Sequence, residues 1–319
     1  MDGQYTTELP LDPGMERPPE VVVVGAASRD LAIDDRRGWR LGGGVSYSAL
    51  TTARLGLRTA ALVGADREAA SAQELDLLRQ AGVDVRVLPL EHGPVFENTE
   101  RPEGRLQRVA DRSDAMSVDA IPASWRAARG WVLAPVAAEL PEAWATVPEA
   151  GALVVVGWQG LLRVLTPGEE VHHVRPFRSA ILDRADLVGV SRDDVDRQIE
   201  IAQLAALLRP GASLAVTQGD RGGLIVETAR DGTFHLRHYP AIRSPRPVDP
   251  TGAGDVFLAA LAAARIAPRL VGERADAGFD LLLAAAAASL VLEGPGLLGV
   301  PDREAVRRRM SEGIHAPAV

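Results

Sequence analysis

The chain has 319 residues, of which 46% are hydrophobic and 24% charged, and its formal net charge at pH 7 is −8. These fractions are typical of a folded globular protein and exclude disordered and collagen-like chains. The acidic balance argues against a nucleic-acid-binding surface. Cysteine is absent, which excludes disulfides, cysteine-ligated metals and thiol catalysis. All 35 basic residues are arginine, so phosphate must be held by Arg, by backbone N–H groups or by a metal.

The chain begins with a polar, proline-containing stretch over residues 1–19, which has neither the basic start nor the apolar centre of a signal peptide. We expect a flexible tail there, a single domain over residues 20–319, and a cytoplasmic location. The longest apolar runs, Val256–Ala264 and Leu281–Leu292, are too short to span a bilayer and predict buried helices. No membrane partner is therefore expected.

Short apolar runs alternate with helix-period segments along most of the chain. This alternation predicts an α/β fold, in which a mostly parallel central sheet is covered by helices on both faces. The predicted strands are Glu20–Gly25, Thr59–Val63, Gly130–Leu133, Ala152–Val156, Leu187–Val190 and Ser213–Thr217. The predicted helices between them are Ser46–Leu55, Ala69–Ala81 and Arg192–Leu208.

Two segments, about 30–40 and 94–110, lack helical periodicity and alternate polar with apolar residues. The second contains Arg101-Pro-Glu-Gly104, a good hairpin turn. We expect both segments to form a small β lid at the mouth of the sheet. Ordinary surface hairpins are the alternative.

The most informative segment is Asp249-Pro-Thr-Gly-Ala-Gly-Asp255, which precedes an apolar run. Pro250 ends any preceding element, and Thr251 is a suitable N-cap for a helix that begins near Gly252. The first N–H groups of such a helix have no intrahelical partner and, with the helix dipole, form a site for phosphate.

Asp255 is a carboxylate in the first turn of this predicted helix. One interpretation is that this negative charge does no more than stabilise the N-terminus of the helix. Alternatively, it lies where a substrate hydroxyl meets a transferring phosphoryl group and accepts the hydroxyl proton. We expect the helix dipole to keep its pKa low, and we expect the amides of Gly252, Ala253 and Gly254 to stabilise charge on the phosphoryl oxygens.

Residues Asp249–Asp255 resemble the C-terminal signature of the PfkB, or ribokinase-like, carbohydrate kinases. Further segments resemble the same family in the same order: Gly25-Ala-Ala-Ser-Arg-Asp30, Leu41-Gly-Gly-Gly-Val-Ser-Tyr47, Val216-Thr-Gln-Gly219-Asp-Arg-Gly222 and Glu293-Gly-Pro-Gly296. The resemblance implies a three-layer α/β/α sandwich with a small β lid. It also implies that Asp255 is the catalytic base and that the Gly252–Gly254 turn is the anion hole.

The resemblance implies further site residues. Asp30, Gly42 and Gly43 would bind the acceptor. The nucleotide-binding residues would be Ser191, Thr217, Gly219, Gly222, Thr251 and Gly296. Two positions depart from the family: Tyr47 stands where Asn is common, which narrows the sugar site, and Asp194 replaces a Glu that orients magnesium-bound water.

A narrower resemblance, to the myo-inositol kinase branch, rests on Gly42-Gly-Gly44, Phe96-Glu-Asn98, Val109-Ala-Asp-Arg-Ser-Asp114, Trp158-Gln-Gly-Leu-Leu-Arg163 and the Asp255 motif. A cyclic polyol carries many similar hydroxyls and needs paired donors and acceptors, which Asn98, Gln159 and Arg163 could supply. A solvated loop is the alternative for Gln159 and Arg163. Gly157 stands where that branch often has Asp, which puts the exact alcohol in doubt.

Together these features predict a kinase that uses ATP and Mg²⁺, with a monovalent cation as a further candidate cofactor, to phosphorylate a small polyol or sugar. Myo-inositol is the first candidate acceptor. A nucleoside kinase, for which Tyr47, Phe96 or Trp158 could contact the base, another sugar kinase and a non-catalytic ligand-binding protein are the alternatives. The exposed strand edges of the lid could pair in a homodimer.

Overall fold

The computed structural model describes residues 17–101, 104–270 and 278–314, with a nine-stranded sheet at its centre. Its strands are β1 (Val21–Ala26), β4 (Thr59–Ala65), β5 (Asp84–Pro89), β8 (Gly130–Leu133), β9 (Leu153–Gly157), β12 (Leu187–Ser191), β13 (Ser213–Thr217), β14 (Gly223–Thr228) and β15 (Phe234–Tyr239). Their spatial order is β15-β14-β13-β12-β9-β8-β1-β4-β5. All neighbours pair in parallel except β13 with β14 and β14 with β15.

Helices cover this sheet. They are α1 (Gly44–Arg54), α2 (Glu74–Gln80), α3 (Ala180–Arg184), α4 (Ile201–Ala205), α5 (Ala253–Ile266), α6 (Phe279–Val291) and α7 (Arg303–Ile314). Successive side chains of a strand point to opposite faces, so β1 contributes Val21 and Val23 to one apolar cluster and Val22 and Val24 to the other. The predicted α/β/α sandwich is confirmed.

Helix α5 packs close to the sheet. A Cβ on Gly189 in β12 would lie 2.8 Å from the side chain of Leu258, and one on Gly130 in β8 would lie 2.2 Å from that of Ile266. The missing side chains therefore let the helix approach the strands. This packing fixes the N-terminus of α5 at the edge where the parallel strands end.

Four strands form a second sheet beside that edge: β2 (Arg29–Leu31), β3 (Trp39–Leu41), β6 (Val95–Arg101) and β7 (Gly104–Asp111), in the order β3-β2-β6-β7. They fall within or beside the two segments in which we expect a lid. The two residues between β6 and β7 lie outside the described residues, as does most of the expected N-terminal tail.

Both edges of this second sheet are partly covered. The β7 edge exchanges backbone hydrogen bonds with residues 168–171, including one from the Val109 N–H to the Glu169 carbonyl at 2.9 Å. At the other edge, the Leu41 N–H in β3 donates to Glu74 of α2 at 3.5 Å. A third, two-stranded sheet pairs β10 (Arg163–Val164) with β11 (His172–His173).

The predicted helix over Arg192–Leu208 is wrong over most of its length, because only α4 and a short 3₁₀ turn at Arg192–Asp194 form there. The Arg192 guanidinium donates to the carbonyls of Val195, Asp196, Arg197 and Ile199. These local bonds hold the segment as a loop and compete with helical hydrogen bonds. The predicted helix over Ala69–Ala81 is also shorter than expected. A 3₁₀ turn forms at Ala69–Ser71, and α2 follows it.

Within the described part of the chain, no helix is long and apolar enough to cross a membrane.

Candidate active site

A cleft with a cavity of about 890 Å³ opens where β1, β9, β12 and β13 end and α5 begins. Ligand sites of open α/β sheets commonly lie outside the carboxyl ends of the strands. All the predicted site residues line this cavity except Gly42 and Gly296. We call the part formed by Asp30, Asn98, Gln159, Arg163 and Asp194 the acceptor half, and the part formed by Ser191, Thr217, Gly219, Gly222 and Thr251 the donor half.

The Gly252 turn lies between the two halves. Gly252 is the N-cap of α5 and has a φ of 78°, in the left-handed region that favours glycine. The prediction of Thr251 as the N-cap is therefore wrong by one residue. The Ala253 N–H donates to the Pro250 carbonyl at 3.3 Å, so the helix-terminal amides of Gly254 and Asp255 remain as the donors for an anion.

Asp249 holds this turn in place. One oxygen of its carboxylate accepts from the Thr251 N–H at 2.9 Å, and the other accepts from the Gly296 N–H at 3.0 Å. Gly296 thus donates its amide to Asp249 and does not line the cavity; its role in nucleotide binding stays a prediction. Asp249 is part of the sequence motif. The motif does not show its bond to Gly296, which lies 47 residues further along the chain.

Asp255 faces the cleft from the first turn of α5. A Cβ on Gly44 would lie 2.8 Å from Asp255 Oδ1, so the carboxylate lies against the start of α1. Burial raises the pKa of Asp255 to about 7; Arg163 opposes this shift, and the negative charges of Asp194 and Asp30 add to it. The expectation of a low pKa is wrong, because loss of solvent outweighs the helix dipole.

Beyond the end of β1, the Asp30 carboxylate lies close to the backbone of Gly42. Ser28 Oγ donates to Asp30 Oδ1 at 3.1 Å. A Cβ on Gly42 would lie 2.5 Å from Asp30 Oδ2, which explains glycine there without contact to a ligand. Gly43 has a φ of 93° and lies against the backbone of Ala26 and Ala27.

The second sheet brings Asn98 to the same half. Gln107 of β7 donates its side-chain amide to Asn98 Oδ1 at 2.9 Å, so the Asn98 nitrogen points away from Gln107. Phe96 lies beside it in β6 and is 2% exposed. The Arg163 guanidinium carbon is 5.9 Å from the centre of the Phe96 ring.

Gln159, Arg163 and Asp194 form one polar cluster. The Gln159 amide donates to both oxygens of Asp194, at 3.0 and 3.3 Å. Arg163 Nη2 is 3.8 Å from Asp194 Oδ1, and the Arg163 side chain is 8% exposed. Its Nε has no hydrogen-bond partner among the described residues. Burial lowers the pKa of Arg163, while Asp194, Asp255 and Asp30 act in the opposite direction.

Tyr47 lies behind the Gly252 turn and does not stand across the acceptor half. A Cβ on Gly252 would be 2.3 Å from its ring, and one on Gly296 would be 3.7 Å from its hydroxyl. Tyr47, Phe96 and Trp158 are each 2% exposed. None of these rings therefore offers a free face on which a nucleobase could stack.

The donor half consists mainly of backbone turns. Ser191 ends β12, and its hydroxyl accepts from the Asp193 N–H at 3.2 Å. Thr217 ends β13 and is followed by Gly219 and Gly222, whose φ values are 61° and 80°. A Cβ on Gly222 would lie 2.1 Å from the Tyr239 carbonyl oxygen, so packing against β15 also requires glycine there.

Asp194 does not fit the predicted role in orienting magnesium-bound water. Its oxygens already accept from Gln159 and face Arg163. In the described residues, no group of three or more His, Asp or Glu side chains is arranged to hold a metal ion. The His172–His173 pair forms the exposed strand β11.

Glu139 is a buried residue that the sequence reasoning missed. Its carboxyl group accepts from the N–H groups of Ala26, Val136 and Ala137, at distances between 2.8 and 3.2 Å. Burial raises its pKa, whereas these hydrogen bonds lower it. Glu139 thus ties the loop after β8 to the end of β1, next to the acceptor half. An acid inside the apolar run from Val136 to Leu140 was the available signal.

Comparison with known proteins shows two kinds of likeness. Residues 179–302 match the family model "pfkB family carbohydrate kinase". This region includes the donor half, the Gly252 turn and Asp255. A search of curated proteins finds no match to this sequence.

Several solved structures share the fold. A pyrophosphate-dependent kinase of the ribokinase family, complexed with a pyrophosphate analogue and myo-inositol, superimposes with a TM-score of 0.68 at 21% identity and covers 90% of this chain and 99% of its own. Arabidopsis thaliana ribokinase with ribose and ATP gives 0.62 at 19% identity, covering 92% and 99%. The nucleoside kinase of Methanocaldococcus jannaschii gives 0.63 at 16%, covering 93% and 99%.

At these identities the structural likeness establishes the fold alone, and the family match covers residues 179–302 of the 319. The fold expected from the sequence is confirmed: this chain has the ribokinase-like fold, and its residues 179–302 match the family model of the PfkB carbohydrate kinases, as the resemblance predicted.

Proposed function

We propose that this protein transfers the γ-phosphoryl group of ATP to a hydroxyl of a small, uncharged polyol or sugar, with myo-inositol as the first acceptor to test. One observation carries the proposal. The Asp255 carboxylate and the N-terminal amides of α5 lie together between the acceptor and donor halves of one cleft.

In the proposed reaction Asp255 accepts the proton of the attacking hydroxyl. Its pKa of about 7 suits a general base that works near neutral pH. The amides of Gly254 and Asp255, together with the dipole of α5, stabilise charge on the phosphoryl oxygens. Mg²⁺ would accompany the phosphates of the donor and neutralise part of their charge.

The charge of the acceptor half favours an uncharged acceptor. Four carboxylates act electrostatically on the buried guanidinium of Arg163: Asp194, Asp255, Asp30 and Glu139. A phosphorylated or carboxylated acceptor would bring further negative charge into this cluster. A neutral polyol can instead donate its hydroxyls to the carboxylates and accept from Arg163 and Asn98.

A nucleoside acceptor has less support, since the three candidate aromatic rings are covered by protein. The phosphate donor is less constrained than the acceptor. ATP follows from the family resemblance, whereas the structurally similar kinase with myo-inositol is described as pyrophosphate-dependent. Both donors therefore belong in the test.

We further propose that residues 20–319 act as one domain, and that segments 30–40 and 94–110 cover the bound acceptor and exclude water. Because both edges of this second sheet are partly covered, a homodimer through the lid would use other exposed parts of it, such as the turn between β2 and β3, where Ile33 is fully exposed. Sedimentation of the purified protein tests this assembly.

The experiment that tests the function is a matrix of two donors and five acceptors. MgATP and magnesium pyrophosphate are each combined with myo-inositol, ribose, cytidine, adenosine and fructose 6-phosphate, and the phosphorylated product is identified by mass spectrometry. We expect product from ATP with an uncharged polyol or sugar, and none from the Asp255→Asn variant. Product only from fructose 6-phosphate or a nucleoside, or ligand binding with no product, would contradict the proposal.

A further inference from the structure

Three side chains that follow β9 converge on Asp194, which follows β12. Gln159 donates to both of its oxygens, Arg163 Nη2 lies 3.8 Å away, and His173 Nε2 lies 3.8 Å from the same Oδ1. The Asp194 side chain is only 10% exposed. Its surroundings are therefore hydrogen-bond donors, among which Arg163 carries the positive charge, since burial lowers the pKa of His173.

These contacts are a poor environment for a magnesium-water ligand. Mg²⁺ requires near-octahedral oxygen coordination and keeps several of its waters, so a carboxylate that serves it needs a free lone pair facing solvent or phosphate. The Gln159 amide lies against both oxygens of Asp194. The nearby guanidinium of Arg163 already balances the charge of Asp194.

The same contacts fix how Gln159 and Arg163 face the cavity. An ionised carboxylate only accepts hydrogen bonds, so the Gln159 nitrogen must point to Asp194 and its Oε1 must point away. The guanidinium N–H groups of Arg163 can only donate hydrogen bonds. Both side chains line the cleft. Together they provide an acceptor and a donor, the pattern that a hydroxyl pair on a polyol satisfies.

We propose that Asp194 is a positioning residue of the acceptor half: it orients Gln159 and Arg163 toward neighbouring hydroxyls of the acceptor, and it does not serve Mg²⁺. The inference rests on the proposed function, because it takes the acceptor to be an uncharged polyol. It assigns to acceptor recognition a carboxylate that the family resemblance assigns to the metal.

The test measures binding of myo-inositol, and then of ribose, by calorimetry without Mg²⁺ or donor. The variants are Asp194→Asn, Gln159→Leu and the double variant. Asp196→Asn is the matched control, because this aspartate of the same loop is exposed and does not line the cavity. We expect Asp194→Asn to weaken binding at least tenfold and the control to bind like the wild type. The double variant should bind at most about twofold more weakly than the weaker-binding of the two single variants. Thermal unfolding checks that each variant is folded.

Steady-state kinetics provide the second readout. We expect Asp194→Asn and Gln159→Leu to raise the KM for the acceptor and to leave the Mg²⁺ concentration for half-maximal activity unchanged. Acceptor binding by Asp194→Asn within twofold of wild type, with a shifted Mg²⁺ requirement, would overturn the inference. Should Asp194→Asn fail to fold, Gln159→Leu decides alone, because unchanged polyol binding in that variant equally overturns it.

The two proposals fail separately. Wild-type turnover of a polyol with unchanged binding by Asp194→Asn overturns the positioning role and leaves the kinase function standing. Tight polyol binding that Asp194→Asn weakens, without turnover from either donor, overturns the kinase function and leaves the positioning role. A wild type that binds neither myo-inositol nor ribose overturns the inference.

Discussion

The two halves of the cleft are built differently. The acceptor half consists of charged and amide side chains from four separate segments of the chain, and two of its members, Arg163 and Asp194, are nearly buried. The donor half consists mainly of backbone turns, in which Gly219 and Gly222 have positive φ values. Specificity for the acceptor therefore depends on side-chain identity, whereas the donor half depends on the absence of side chains. Asp255 and the Gly252 turn stand between them.

The largest expected effect comes from the group that serves both halves. Asp255→Asn keeps the shape of the side chain and removes its capacity as a base, so we expect kcat to fall by about 10²–10⁴. ATP binding should persist, because the turns of the donor half are unchanged. Turnover and calorimetric ATP binding measure the two effects. Near-normal turnover would show that Asp255 is only a helix-capping charge.

The next largest effect tests whether the Gly252 turn requires a residue without a side chain. Gly252→Ala forces a Cβ onto a residue with a φ of 78° and to within 2.3 Å of the Tyr47 ring. We expect a loss of unfolding free energy on the order of 2–4 kcal/mol. Chemical denaturation measures it.

Gly254→Ala is the control for that variant, since a Cβ on Gly254 meets nothing within 4 Å. It should be as stable as the wild type or slightly more stable, because alanine favours the helix. Equal stability of the Gly252→Ala and Gly254→Ala variants would show that the turn tolerates a side chain.

The pKa of Asp255 predicts the pH dependence of the reaction. Because the base must be deprotonated and its pKa is raised to about 7, kcat/KM should rise about tenfold per pH unit below that value and level off above it. A low pKa, as the helix dipole alone would give, predicts a flat profile between pH 5 and 8. Measurement of kcat/KM across this range separates the two cases.

The smallest expected effect is that of the Asp255 charge on the free energy of unfolding. A carboxyl group whose pKa is raised in the folded state stabilises the fold while it is protonated, and this contribution is lost as pH rises from its unfolded value near 4 to about 7. Asp255→Asn lacks this loss, so at pH 8 it should be more stable than the wild type. At pH 4 the two proteins should unfold alike. A less stable variant at pH 8 would contradict the raised pKa.

The difference between the halves also explains what the sequence could predict. The strands, the Gly252 turn and the position of Asp255 follow from local patterns, because glycine, proline and apolar runs act on their immediate neighbours. The predicted strands Gly130–Leu133 and Ser213–Thr217 are confirmed residue for residue.

The main errors about the side chains of the site concern contacts between distant segments. Asp194 and Gln159 are 35 residues apart, and Asp249 and Gly296 are 47 apart, so no local pattern shows that they bond. The pKa of Asp255 depends on burial by the whole cleft and on Arg163, Asp194 and Asp30. The sequence does not show this burial, which is the largest influence on that pKa.

A crystal structure of the protein with bound myo-inositol tests the central claim most directly. We predict that one hydroxyl oxygen lies about 2.6–3.2 Å from the Asp255 carboxylate, on the side of the α5 amides. Myo-inositol bound in the cleft with every oxygen beyond hydrogen-bond reach of Asp255 would contradict the account.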